Sequence, residues 1–364
     1  SQSLIPRYRI GIFLAILYHA TKEGLRCMRI LYGLFILLIL VVIEICAADN
    51  ERKVGRIAFV SYNWDTKSGD IYSIDEDGFN MRNLTNHPDN DTNPVWFPDG
   101  KQIAFISNRD KKGDIYNLYV MNADGTQPRR LSSVRVRGSV CWSPDGKQIV
   151  FTGQSDEKDE TWNWEIYVIN PDGTNLKRLT NNDADDVNPV WSPDGKQIAF
   201  VHYKYPHKTK LAQNVYYERT AKELKERTLC VINPGGENPM NLVDFDYFMD
   251  SCNIEPKEIS LVWTLDNKNI VFEFFRNYNC KSCGEPCRAI GIVDVENKKI
   301  KPLTHGEYCE TSPSLSPEGK EILFSAKIDG EWEYCLWGID RQNIEKRSRE
   351  GVDGSFCVGK VSWS

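Results

Sequence analysis

A short apolar strand ending in phenylalanine recurs six times along this chain. The copies are Ile57-Ala58-Phe59, Ile103-Ala104-Phe105, Ile149-Val150-Phe151, Ile198-Ala199-Phe200, Ile270-Val271-Phe272 and Ile322-Leu323-Phe324. They are separated by 46, 46, 49, 72 and 52 residues. Five copies follow a turn: Phe97-Pro98-Asp99-Gly100, Ser143-Pro144-Asp145-Gly146, Ser192-Pro193-Asp194-Gly195, Leu265-Asp266-Asn267-Lys268 and Ser316-Pro317-Glu318-Gly319. Pro presets φ at the second turn position and Gly accepts the conformation that closes it. The strand before each turn carries Trp96, Trp142, Trp191, Trp263 and finally Leu315. One such hairpin buries too little apolar surface to stand alone. The repetition is therefore the constraint on the fold.

Each unit holds a second hairpin. Its first strand and turn read IYSIDEDG (71–78), LYVMNADG (118–125), IYVINPDG (166–173), LCVINPGG (229–236), GIVDVENK (291–298) and LWGIDRQN (336–343). Its second strand ends in Asn83-Leu84-Thr85, Arg130-Leu131-Ser132, Arg178-Leu179-Thr180, Asn241-Leu242-Val243 or Pro302-Leu303-Thr304. Each unit thus has four strands, A to D. A period in the forties with four strands per unit is the signature of propeller blades. The first unit begins at its B strand, and the chain ends in Val361-Ser362-Trp363, an A strand with no unit behind it. The two ends complete one blade, which leaves no open sheet edge. The expected fold is all-β: a six-bladed β-propeller of four-stranded antiparallel blades over residues 49–364, closed by the C-terminal strand pairing into blade one.

Ahead of the repeats, Ile30 to Ile43 is an apolar run preceded by Arg26 and Arg29 and followed by Cys46-Ala47-Ala48. A basic, then apolar, then small-residue order describes a secretory signal peptide, with Met28 well placed as its start. The other readings are an uncleaved membrane anchor, for which the run falls short of about 20 residues, and a lipoprotein at Cys46. Residues 1–48 are thus read as an N-terminal extension plus signal or anchor, and the chain as exported to a periplasm or extracellular space. A net charge of -6 argues against nucleic-acid or anionic-membrane partners, because there is no basic excess to displace counterions. Eleven Cys are many for a reducing compartment.

The pattern PxWSPDGKxIAF followed by IYVxNxDGxxxxRLT resembles the TolB-type propeller repeat. The resemblance runs from Val54 to Ser364, strong in units two to four and weaker in five and six, where Gly, Pro and Trp drop out. TolB carries an α/β domain before its propeller, whereas few residues separate the expected cleavage site from unit one. The same repeat occurs in oligopeptidases with a hydrolase domain, whose GxSxG elbow is missing here.

In a propeller the A–B and C–D turns share one face; here they are short and alike, and read as structure. The B–C and D–A connections share the other face and vary, and variable loops on a rigid scaffold are where function concentrates. Asp89, Asp91 and Asn93 lie in one D–A connection, Asp183, Asp185, Asp186 and Asn188 in another, with Arg135 and Arg137 between them in sequence. Such carboxylates and amides suit Ca²⁺, which takes six to eight oxygens, or a sugar or peptide. They equally suit solvated loops whose side chains cap turns. Trp162 and Trp164 precede the C strand of blade three, one of them a candidate stacking platform for a sugar ring. Blade four carries a long B–C insertion, His202 to Thr228, with clustered Tyr suited to a partner contact or a plain surface loop. His87, His202, His207 and His305 have no spacing partner that makes a known site.

Cys280, Cys283 and Cys287 sit in a B–C loop, Cys252 and Cys309 in the flanking D–A loops, and Cys357 in the closing loop. All six map to one face. Export favours disulfides among them, with bonds tying Cys252 and Cys309 to the 280–287 loop. The alternatives are free thiols, or a Zn²⁺ site of Cys280, Cys283, Cys287 and either Cys309 or His305. Cys141, Cys230 and Cys335 fall in strand patterns and read as buried thiols. No HExxH motif, phosphate loop or dinucleotide fingerprint is present. The expectation is a non-catalytic binding or scaffolding propeller of the cell envelope without a cofactor, taking a protein or carbohydrate ligand. The alternatives are a polysaccharide lyase or hydrolase built on the same face, and a sensor ectodomain tethered by the N-terminal segment.

Overall fold

The computed structural model describes residues 56–63, 68–75, 79–110, 115–154, 163–204, 226–245, 259–279, 286–304, 310–316, 319–328, 331–338, 344–347 and 362–363. Residues 1–55, with the expected signal or anchor, lie outside them. Among the described residues no helix is long and apolar enough to cross a membrane.

The strands form six four-stranded antiparallel sheets. In chain order they are β1 (Arg56–Asn63), β2 (Ser68–Asp75) and β3 (Arg82–Asn83); β4 (Asp91–Trp96), β5 (Gln102–Ser107), β6 (Asn117–Asn122) and β7 (Arg129–Arg130); and β8 (Arg135–Trp142), β9 (Ile149–Gln154), β10 (Glu165–Ile169) and β11 (Lys177–Arg178). Then come β12 (Asp185–Trp191), β13 (Ile198–Lys204), β14 (Glu226–Ile232) and β15 (Met240–Asp244); β16 (Leu261–Trp263), β17 (Asn269–Asn279), β18 (Pro286–Asp294) and β19 (Ile300–Pro302). Last are β20 (Thr311–Leu315), β21 (Glu321–Ile328), β22 (Glu331–Gly338), β23 (Ile344–Arg347) and β24 (Ser362–Trp363). Sheets two to six each use four consecutive strands. The first is ordered β24-β1-β2-β3, with Ile57 opposite Trp363 and Ala58 opposite Ser362.

Inside a sheet the B-strand Phe faces the C-strand Tyr. Phe59 stacks on Tyr72, Phe105 on Tyr119 and Phe151 on Tyr167, with centroids 5.9, 5.6 and 5.9 Å apart. In the next three sheets the same Phe stands opposite Cys230, Gly291 and Cys335. Two of the three strand cysteines therefore replace a tyrosine, and both are buried.

Both faces of the second to fifth sheets are apolar. Ile149 and Phe151 join a core with the second sheet, while Val150 between them joins a core with the fourth. Five such clusters lie at the five successive junctions from the first sheet to the sixth. The turns complete these junctions. Gly125, at φ 86°, sits against the previous sheet at Leu84, where an added Cβ would come 2.4 Å from the Leu84 carbonyl oxygen. Gly236 repeats this on Leu179 at 3.0 Å, whereas a Cβ on Gly173 would stay 3.7 Å from Leu131.

Four A strands, β4, β8, β12 and β20, carry a bulge near their start. The bulge residues Asn93, Gly138, Asn188 and Ser312 have φ of 51°, 66°, 56° and 55°. Asn and Gly accept that left-handed region at low cost. Successive A strands are then linked: the Asn93 amide donates to the Gly138 carbonyl, the Ser139 hydroxyl to Asn188 Oδ1, and Asn188 Nδ2 to the Ile259 carbonyl. Trp142 and Trp263 donate their indole N–H to the carbonyls of Val95 and Val190 in the preceding A strand.

These contacts set an expected order of stabilities. Gly125→Ala meets both the left-handed backbone and the Leu84 carbonyl, and destabilises by about 2–4 kcal/mol. Gly173→Ala meets only the backbone term, about 1–2 kcal/mol. Urea unfolding of the two variants checks this; equal losses would remove the inter-sheet role of Gly125.

Candidate functional site

Most of the acidic residues expected in D–A loops stand in A strands. β4 begins at Asp91, β8 at Arg135 and β12 at Asp185. The bulge is the reason: its extra residue lets each A strand resume pairing with its B strand upstream, as in Asp91 with Ser107 and Asp185 with Tyr203. Two further boundaries shift. The blade-four strands extend into the expected insertion, pairing Lys204 with Glu226, so it spans 205–225 and lies outside the described residues. Cys287 falls within strand β18 rather than in the loop. Cys252, Cys280, Cys283, Cys309, Cys357, His305 and Trp162 lie outside the described residues.

Several candidates are held internally. Asp91 is fully buried and accepts two bonds from one nitrogen of Arg109, at 2.9 and 2.8 Å. The Arg109 guanidinium also lies 5.2 Å from each of the Phe105 and Tyr119 rings. Asn93 and Asn188 serve the A-strand links. Asp89, partly exposed, lies 3.5 Å from His87.

The others come together between the third and fourth sheets. Asp186, fully buried, accepts from Asn182 at 2.7 Å and lies 2.7 Å from His202 Nδ1. That bond to a carboxylate raises the His202 pKa above 6.5, against the opposing effect of burial. Glu165, from the start of β10, is 1% exposed and takes bonds from Thr180 at 2.6 Å, Arg178 at 2.7 Å and the Asn182 amide at 3.1 Å. Desolvation raises its pKa, while Thr180 and Arg178 oppose the rise. Asp185 accepts from the Trp164 amide at 3.1 Å, and its second oxygen lies 3.9 Å from Arg137. The Arg137 guanidinium stacks 4.3 Å above the Trp164 ring. Trp164 is partly buried and packs on the core shared by sheets four and five. Asp183 is exposed beside them.

The sequence alone gave no sign of the His202–Asp186 pair, because the two are 16 residues apart across a hairpin. Counting back from Trp191 opposite Ile198, with one bulge residue allowed, would have matched them. Glu165 and Arg178 were likewise missed; they sit beside and within the repeated IYV and RLT segments that read as scaffold, while Asn182 lies in the D–A connection 181–188. Among the described residues, no three His, Cys, Asp or Glu side chains group as metal ligands. The A–B and C–D turns differ in character. Their carboxylates cap their own loops: Asp124 accepts from the Thr126 hydroxyl at 2.6 Å and its amide at 2.9 Å, which lowers the Asp124 pKa.

The raised pKa of His202 fixes a direction with pH. Asp186 stabilises the protonated imidazole, so this contribution is fully present below about pH 6.5 and fades as pH rises through the higher folded-state value. NMR titration should show His202 titrating above 6.5, and D186N should bring it down and flatten stability across that window. An unchanged midpoint in D186N would contradict the pairing.

Residues 54–161 match the TolB beta propeller domain. A 43-residue segment is 44% identical to an uncharacterized peptidase YuxL of Bacillus subtilis (strain 168), covering 12% of this chain and 6% of that protein, so the chain spans a small part of that relative. Among solved structures, TolB from Acinetobacter baumannii is similar at a TM-score of 0.55 and 20% identity, over 85% of this chain and 66% of that one. A putative TolB from Agrobacterium tumefaciens gives 0.50 and 18%, over 80% and 88%. An oligogalacturonate lyase in complex with manganese gives 0.56 and 14%, over 83% and 76%. At these identities the structures speak for the fold. The repeats within residues 54–161 are thus those of the TolB beta propeller domain, and the sheets beyond them are similar to TolB structures in fold.

Proposed function

We propose that residues 49–364 form a six-bladed propeller, closed through β24 against β1, that serves as an exported, non-catalytic binding module of the cell envelope. Its ligand, a protein or a carbohydrate, is taken on the face of the B–C and D–A connections. The observation that carries this reading is the difference between the faces. On the turn face, glycines are wedged against neighbouring sheets and carboxylates cap their own turns. On the other face, Arg137 and Asp183 are exposed, and Asp89, Arg135 and Trp164 partly so, over a rigid base of buried ion pairs. Fixed scaffold beneath exposed charged and aromatic groups is the arrangement of a recognition surface. Asp89, Asp183, Arg135, Arg137 and Trp164 are the contact candidates. The six outer cysteines are proposed to pin neighbouring loops as disulfides.

The second reading, a polysaccharide lyase or hydrolase, is favoured by one feature. His202 is partly exposed and oriented by the buried Asp186, the form of a positioned base.

Site-specific photocrosslinking in the native host separates the readings. A crosslinker at Asp183 or Asp89 should give discrete adducts, and one at Lys101 or Asp124 on the turn face should give none. Adducts from the turn face alone would overturn the assignment. Turnover of polygalacturonate lost in His202→Ala would establish the enzyme instead.

A further inference from the structure

Arg135 and Arg137 stand two residues apart on β8, with Val136 between them buried in the core toward the second sheet. Alternation along a strand puts both guanidinium groups on the opposite side, with Cα atoms about 6.7 Å apart. That is the side of Trp164 and Asp185.

The carboxylates around this spot are turned inward and engaged. Asp186 serves Asn182 and His202; Glu165 serves Arg178, Thr180 and Asn182. Asp185 spends one oxygen on the Trp164 amide and holds the other near Arg137. Arg135 shows no such compensation among the described residues. It is partly buried, forms no ion pair among the described residues, and its Nε is buried without a hydrogen-bond partner. A desolvated cation lacking a counter-charge is costly, and a bound anion removes that cost.

Trp164 decides what kind of anion-bearing molecule fits. A sugar needs an open ring face on which to stack. One face of this ring lies under the Arg137 guanidinium, and the residue packs on core residues behind it. The group presented is therefore the guanidinium, oriented by the ring beneath it. A planar guanidinium so held matches a carboxylate bidentately.

Resting on the binding-module reading, we infer that Arg135 and Arg137 form a carboxylate-recognition site for an acidic peptide segment of a protein partner, with Trp164 and Asp185 as positioning residues. Arg137 makes the exposed contact, and Arg135 supplies the second positive charge.

Calorimetric titration of the full chain at low salt, with end-blocked hexaglutamate as probe, tests this. Hexaglutamate should bind, weaken as salt rises, and lose about tenfold or more in affinity in R137A and R135M, with R137K intermediate. End-blocked hexaglutamine should not bind. R135M separates the site from a structural role: it should unfold at the same or higher urea concentration than the parent while losing the peptide. Absence of hexaglutamate binding, equal binding in both Arg variants, or equal binding of hexaglutamine would overturn the inference. So would tighter binding of trigalacturonate. Any of these results alongside persistent Asp183 crosslinks would remove the carboxylate site and leave the recognition face standing.

Discussion

The second to fifth sheets are apolar on both faces, and from this the rest follows. Ile149 and Phe151 look toward one neighbour and Val150 toward the other, each fully buried. A single blade would leave one of those surfaces in water, so stability resides in the junctions, as in other repeat folds. The C–D turn glycines belong to the same constraint. Gly125 and Gly236 lie so close to Leu84 and Leu179 that a side chain there would strike backbone.

The same packing explains how charge is distributed. Strands that bury both faces have little room for ionised groups, and several of those described are tied in pairs: Asp91 with Arg109, Glu165 with Arg178, Glu273 with Arg288. Such pairs are weak evidence for net stability, but they fix where strands begin and how A strands meet their neighbours. Asp186 and His202 follow this pattern and add a titratable group near neutrality. Arg135 departs from it. Among the described residues it forms no ion pair, and its Nε is buried without a hydrogen-bond partner.

Much of the fold was legible in the sequence because its determinants are local. A Pro-Asp-Gly turn, a Trp before it and an Ile-Ala-Phe after it specify one hairpin, and the repeat multiplies it. Six B strands in sequence became six sheets, and the stranded Ser362-Trp363 fragment pairs where its missing unit required. The site was less legible. Asp91, Asp185 and Asp186 read as loop carboxylates, yet bulges at Asn93, Gly138 and Asn188 draw them into strands and toward internal partners. A bulge changes the pairing by one residue and leaves little trace in composition. One of Trp162 and Trp164 read as a stacking platform, and nothing in the sequence placed Arg137 over Trp164.

We propose that joining the two ends of the chain, β24 against β1, completes the blade-to-blade burial. Hydrogen exchange of the β1 amides, compared between the full chain and one ending at Gly359, tests it directly. Pairing of β24 with β1 predicts strong protection of the Ala58 amide, which faces β24, in the full chain, and its loss on truncation with a lower unfolding midpoint, while the Ile57 amide, which faces β2, keeps more of its protection. Unchanged protection and unchanged stability after truncation would show that the ends do not meet and would contradict the closed ring.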